Sequence, residues 1–245
     1  MDSGMMIAGR RPVLETLKAG TDVRRLFLQK GARGDIIREI LDLARERNLA
    51  VSFREKSFFS RHAPVRNHQG VMAEVQPFRY ASLEQLLESK GKEPLFLLIL
   101  DHIQDPQNLG ALVRTAYAAG CHGLILPERR AAEMTPAAIR AAVGAAEHLP
   151  VARAVNLARC LDECKAAGLW VYGADAKGKL LYTAGDYKEP VALVIGSEGK
   201  GLSRLVREKC DFLVRLPMKG KLSSLNAAAA GAVLCYEVLR QREGL

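Results

Sequence analysis

At 245 residues, 49% hydrophobic and 26% charged, the chain has a globular composition and room for one large domain or two modest ones. No apolar run approaches the roughly 20 residues that cross a bilayer. The opening "MDSGMMIAGRRP" has no signal-peptide core, so a membrane partner is not expected and a cytoplasmic location is. The net charge of +9 is uneven: residues 1–80 hold 15 Lys/Arg against 9 Asp/Glu, and the rest 21 against 18. That front-loaded excess suits a polyanionic partner, most simply nucleic acid, although a merely soluble basic surface would look the same.

Taken in chain order, the first 76 residues read as a small α/β unit. "RRPVLETLKAG" is an amphipathic helix closed by Gly20 at the C′ position. "VRRLFLQ" has strand character, "GDIIREILDLARERN" is a strong helix, and "GVMAEVQP" is a strand stopped by Pro77. Between them "FREKSFFSRHAPVRNHQG" mixes cations, histidines and the pair Phe58 and Phe59. That mixture suits contact with RNA phosphates and exposed bases, or else the phenylalanines are partly core.

A polar helix, "SLEQLLESKGKEP", is expected to bridge two domains, with a linker over 77–93. From 94 onward, strand-like runs at 95–100, 123–127, 169–176, 191–196 and 212–217 alternate with helical segments. Those helices are predicted near 107–119, 135–146, 157–167, 203–209 and 224–242. The pattern predicts an α/β domain with a parallel sheet covered on both faces. In such sheets ligands bind beyond the carboxyl ends of the strands. The five cysteines (Cys121, Cys160, Cys164, Cys210, Cys235) form no C-x-x-C pair and have no further ligands at matching spacing. They read as buried reduced thiols, and no metal is expected.

Three loops carry unusual residues. In "DHIQDPQNLGALVRTAYAAG", Asp105 can cap a helix and Pro106 suits its first turn. Asn108 then lies beside the strand end, and Arg114, about 120° further round, is a surface residue or an anion ligand. In "VIGSEGKGLS", Gly196, Gly199 and Gly201 permit positive φ and close approach of backbone to a ligand. The loop resembles a phosphate-binding loop until Leu202, where Lys would be required, which argues against a nucleotidase. In "LPMKGKLSSLNAAAAGAVLCYE", a polar loop enters a helix near Ser224 whose small residues allow another backbone to pass close by.

Together the three loops resemble the signature motifs of the SpoU (TrmH-type) RNA ribose 2′-O-methyltransferases, in family order and spacing across about residues 94–240. The opening "IAGRRPVLETLKAG" region resembles the ribosomal-protein-like RNA-binding domain of the subgroup that methylates guanosine in large-subunit (23S) rRNA. The resemblance implies a SPOUT fold with a deep trefoil knot over 94–245, a small RNA-binding domain over 1–76, and a homodimer with the active site at its interface. It also implies S-adenosyl-L-methionine as cofactor, bound by Gly196, Leu216 and Leu225 together with Gly199 and Gly201. Asn108, Arg114, Glu198, Ser224 and Asn226 match the family's catalytic set.

The reaction so implied is in-line attack of a ribose 2′-hydroxyl on the sulfonium methyl. Family proposals make the arginine matching Arg114 a general base. A guanidinium is normally a permanent cation, so the alternative is that it binds a phosphate and stabilises developing alkoxide charge. Asn226 and Ser224 would orient cofactor or nucleotide, and Glu198 would position Arg114 or close the interface. A tRNA ribose methyltransferase and a non-catalytic RNA-binding or ribosome-assembly factor are the competing readings.

Overall fold

The computed structural model describes residues 4–18, 22–65, 67–89, 93–220 and 224–245; Gly20 and the 221–223 part of the third loop lie outside them. The chain divides into two units, Met1–Arg79 and Tyr80–Leu245.

In the first unit, β1 (Met5–Ala8), α1 (Arg10–Lys18), β2 (Val23–Gln29), α2 (Asp35–Glu46), β3 (Val51–Arg54), α3 (Lys56–His62) and β4 (Val71–Val75) build a four-stranded sheet ordered β1-β4-β2-β3. β4 is antiparallel to β1 and β2, whereas β3 runs parallel to β2. Alternation along β2 and β4 sends Leu26, Leu28, Val71 and Ala73 to the face covered by Val13 and Leu17 of α1 and Ile37 and Ile40 of α2. Phe27 and Met72 point the other way, under Phe59. Phe59 is therefore core rather than an RNA contact, and Phe58 is half-buried beside it. The strands β1 and β3 fall outside the predicted elements because each is only four residues long.

The second unit begins with α4 (Leu83–Leu87), held by a capping box in which Ser82 and Gln85 bond each other's backbone. Its Leu86 is buried in the core of this unit, so the helix expected as a bridge is part of the second unit. There follow β5 (Phe96–Asp101), α5 (Pro106–Ala118), β6 (Gly123–Pro127), α6 (Pro136–Ala141), β7 (Val151–Ala154), α7 (Leu157–Ala166), β8 (Trp170–Ala174), β9 (Leu180–Leu181), β10 (Val191–Gly196), α8 (Arg204–Lys209), β11 (Phe212–Arg215) and α9 (Ala227–Glu243). All pairings are parallel, in the order β7-β6-β5-β10-β8-β11-β9. β5 is buried along its whole length and β10 over Val191–Ile195, which is why both read as unbroken apolar runs. The predicted helix 135–146 stops at Ala141, because Val143 and Gly144 take left-handed backbone before a single 3-10 turn at Ala145–Glu147.

β10 lies between β5 and β8, and the strand order therefore reverses at the β5–β10 pair. Beyond their carboxyl ends lie the first two loops singled out above. α9 packs on α5 and β10. At Gly231 the helices touch so closely that a Cβ would lie 2.3 Å from Leu112 Cδ2. This is what the alanine–glycine helix buries.

Cys121, Cys160, Cys164 and Cys235 are buried and Cys210 is half-buried. Burial pushes the Cys121 thiol up to about 12, which keeps it protonated and unreactive. Among the described residues there is no His/Cys/Asp/Glu group that could hold a metal, and no helix is long and apolar enough to cross a membrane.

Gly231→Val is expected to lower unfolding stability by about 1–3 kcal/mol through overpacking against Leu112, read by urea denaturation. Pairing it with Leu112→Ala should recover part of that loss.

Candidate active site

The site is assembled from two helix N-termini and the loop between β10 and α8. Asp105 caps α5 by accepting the Gln107 N–H at 3.1 Å, Pro106 occupies the first turn, and Asn108 follows. At the start of α9 the cap is Asn226, not Ser224: its Oδ1 accepts the N–H groups of Ala228 at 2.9 Å and Ala229 at 3.2 Å. The loop after β10 folds on itself through reciprocal bonds between Ser197 and Gly201, 3.1 and 2.8 Å long. Gly199 and Gly201 have φ of 78° and 66°. A Cβ on Gly196 would lie 2.2 Å from the Gly201 carbonyl carbon, so this glycine admits the chain's own backbone.

One carboxylate joins all three segments. Glu198 Oε1 accepts from Asn108 Nδ2 at 2.7 Å and from Asn226 Nδ2 at 2.5 Å, and the Ala227 N–H reaches it at 3.4 Å. Asn226 Nδ2 also donates to Asn108 Oδ1 at 3.1 Å, closing the ring. A negative charge at the N-termini of two helices is favoured by their dipoles as well as by the bonds.

Both polar atoms of the Asn226 amide are engaged within the protein. Glu198 makes no ion pair with Arg114 in this chain. Arg114 is exposed on α5 and, among the described residues, has no hydrogen-bond or ion-pair partner. Ser224 and Leu225 are exposed just before α9, and Leu216 is half-buried just after β11.

Sequence reasoning missed Asp101. It ends β5, in register with Gly196, and is fully buried. Its Oδ2 accepts the Ser203 N–H at 2.6 Å and its Oδ1 accepts from His102 Nδ1, so it ties the far end of the Gly196–Leu202 loop to the central strand. The available signal was a carboxylate closing an otherwise apolar strand, "LFLLILD", since a buried charge is tolerated only with such partners.

Comparison with known proteins gives the family. Residues 95–236 match the model of the SpoU rRNA Methylase family, and residues 6–81 match the RNA 2'-O ribose methyltransferase substrate-binding domain. The chain belongs to the SpoU family of RNA methyltransferases. Among its relatives is YacO of Bacillus subtilis (strain 168), named for the TrmH family of tRNA/rRNA methyltransferases. It is 43% identical over 239 residues, which span 96% of this chain and 95% of the relative. Among solved structures, the SpoU methyltransferase AviRb of Streptomyces viridochromogenes, in complex with AdoMet, aligns with a TM-score of 0.66 and 28% identity. The alignment covers 98% of this chain and 91% of that one. The AdoMet-bound rRNA methyltransferase of Sinorhizobium meliloti aligns at 0.63 and 28%, over 97% and 87% of the two chains.

The clamp should behave as one unit. Asn226→Ala removes a cap worth about 0.5–2 kcal/mol. Combined with Asn108→Ala, it should show a coupling of at least about 0.5 kcal/mol in a double-mutant cycle read by urea unfolding. Strict additivity would mean the three groups act separately.

Proposed function

We propose that this protein transfers a methyl group from S-adenosyl-L-methionine to a ribose 2′-oxygen of large-subunit (23S) rRNA, at a guanosine, and that it works as a homodimer. The observation that carries the reading is the joining of Asn108, Glu198 and Asn226, drawn from three separate motifs, at the point where strand order reverses. The names of the family model over residues 95–236, SpoU rRNA Methylase, and of the Sinorhizobium meliloti neighbour favour rRNA over tRNA.

The residues present suit the cofactor. Leu216 and Leu225 offer apolar surface for a purine, Leu225 being 40% exposed, and the Gly196–Leu202 loop offers backbone groups to its polar edges. S-adenosyl-L-methionine would supply an electrophilic methyl on a sulfur that leaves as a neutral thioether. Gly196, Gly199, Gly201, Leu216 and Leu225 would hold it, Ser224 would add a hydroxyl, and the Glu198 clamp would keep the three walls in register. The knotted threading belongs to the same proposal, since the chain leaving β11 must recross to lay α9 against α5 and β10.

Arg114 acts as a cation. A free guanidinium stays charged at neutral pH and presents a planar fork of donors, which fits a phosphate or the alkoxide that develops on the attacking oxygen. Arg114→Ala should lower kcat about 10²–10³-fold, the cost of removing one such donor, while cofactor affinity holds. Arg114→Lys should recover only part, because it keeps the charge and loses the fork. Near-normal turnover of Arg114→Ala with labelled cofactor and rRNA transcript would remove it from the mechanism. Mapping 2′-O-methyl sites in rRNA from cells with and without the protein tests the substrate.

The homodimer is supported by an apolar surface on the adjacent helices α5 and α9. Tyr117, Val233 and Tyr236 are 47%, 39% and 50% exposed. Tyr117 lies one turn from Arg114, so a second copy seated there would approach the catalytic cation. Tyr236→Arg should yield monomers by light scattering at micromolar concentration, with unfolding by urea little changed for the monomer fold and methyl transfer lost.

A further inference from the structure

Within the first unit, the segment after β3 builds an arrangement that the core does not need. Phe58 of α3 is half-buried and sits 5.1 Å from Phe27 and 5.7 Å, edge-on, from the buried Phe59, so one side of its ring belongs to the core. Two planar polar groups lie against it from outside. The His62 imidazole stacks on it with centroids 4.4 Å apart and planes 26° apart, and the Arg54 guanidinium carbon lies 5.5 Å from the ring centre. His62 is pinned by a bond of 2.9 Å between its Nδ1 and the Phe58 carbonyl, which fixes the ring plane. Both residues are exposed. The neighbouring cations Lys56 and Arg61 are exposed and have no carboxylate partner among the described residues, whereas Lys30 nearby is neutralised by Glu55.

We propose that the Arg54–Phe58–His62 stack is a binding site for an unpaired RNA base, which rests on the imidazole or guanidinium face while Lys56 and Arg61 take the flanking phosphates. A pre-stacked, rigid π surface is what an unstacked base seeks. Such stacking tolerates any base, and a base inside a duplex cannot use it. The charge is of the sign that RNA needs, and an acidic peptide would satisfy the cations but leave the planar faces unused. The inference deepens the reading of this unit as the rRNA-binding part, and it assigns the substrate a single-stranded element.

The test uses the full-length protein without cofactor and two fluorescent probes of equal length, a 15-nucleotide oligouridylate and an RNA duplex, read by anisotropy. Wild type should prefer the oligouridylate. His62→Ala should weaken that binding about 5- to 100-fold and leave the duplex unchanged, and His62→Tyr should restore it. Equal binding of oligouridylate by His62→Ala and wild type overturns the proposal, as does equal weakening on both probes. A parallel assay of methyl transfer to rRNA transcript separates the two readings. Absent transfer with intact strand discrimination refutes the catalytic proposal and leaves the base site standing.

Discussion

The second unit is organised around one oxygen atom. Glu198 Oε1 collects two amide N–H groups, from positions 90 and 28 residues away, and the backbone N–H of Ala227, 29 residues away. Two asparagines alone would give neutral bonds of modest net worth. A carboxylate between them makes the bonds charge-assisted and places the negative charge where two helix dipoles favour it. The consequence is geometric: α5, the β10–α8 loop and α9 cannot shift independently without stripping donors from a charge. Loops, which are ordinarily among the most mobile parts of a protein, are here held by their own side chains.

That clamp is possible only because the backbone approaches closely at two other places. Gly196 lets the loop double back against the end of β10, and Gly231 lets α9 settle against Leu112 of α5. From the opposite side the buried Asp101 carboxylate holds Ser203, so the loop is fixed at Glu198 and again where it enters α8. Two carboxylates thus bracket one glycine-rich loop. Neither is spare: each oxygen described is committed to N–H donors.

Much of this was legible beforehand, and the misses have physical reasons. The buried strands β5 and β10 announce themselves because burial on both faces demands unbroken apolar runs. β7, with the sequence VARA, and β9, with two leucines, carry no such signature; their places at the sheet's edges relax the demand. α9 starts at Ala227 rather than Ser224 because the asparagine next to the alanine run caps it, a preference that the cap rule favours. Motif spacing singled out Asn108, Glu198 and Asn226, which the fold brings together, but not their mutual bonding, since contacts across 90 to 118 residues are set by the fold and not by local pattern. In the sequence Phe58 and Phe59 stay open between RNA contact and core because composition alone does not say which of two adjacent aromatics faces the core; in a helix they diverge by about 100°.

Charge is divided unevenly between the two units. The first unit carries 15 Lys/Arg against 9 Asp/Glu, and its ion pairs, such as Lys18–Glu39 and Arg38–Asp35, are exposed ones of small energetic weight. Its surplus cations can release counterions from a polyanion, which gives affinity that falls steeply with salt and carries little sequence information. The family models fall on the same division, the substrate-binding match at residues 6–81 and the methylase match at residues 95–236, so the larger charge excess lies on the part matched to RNA binding.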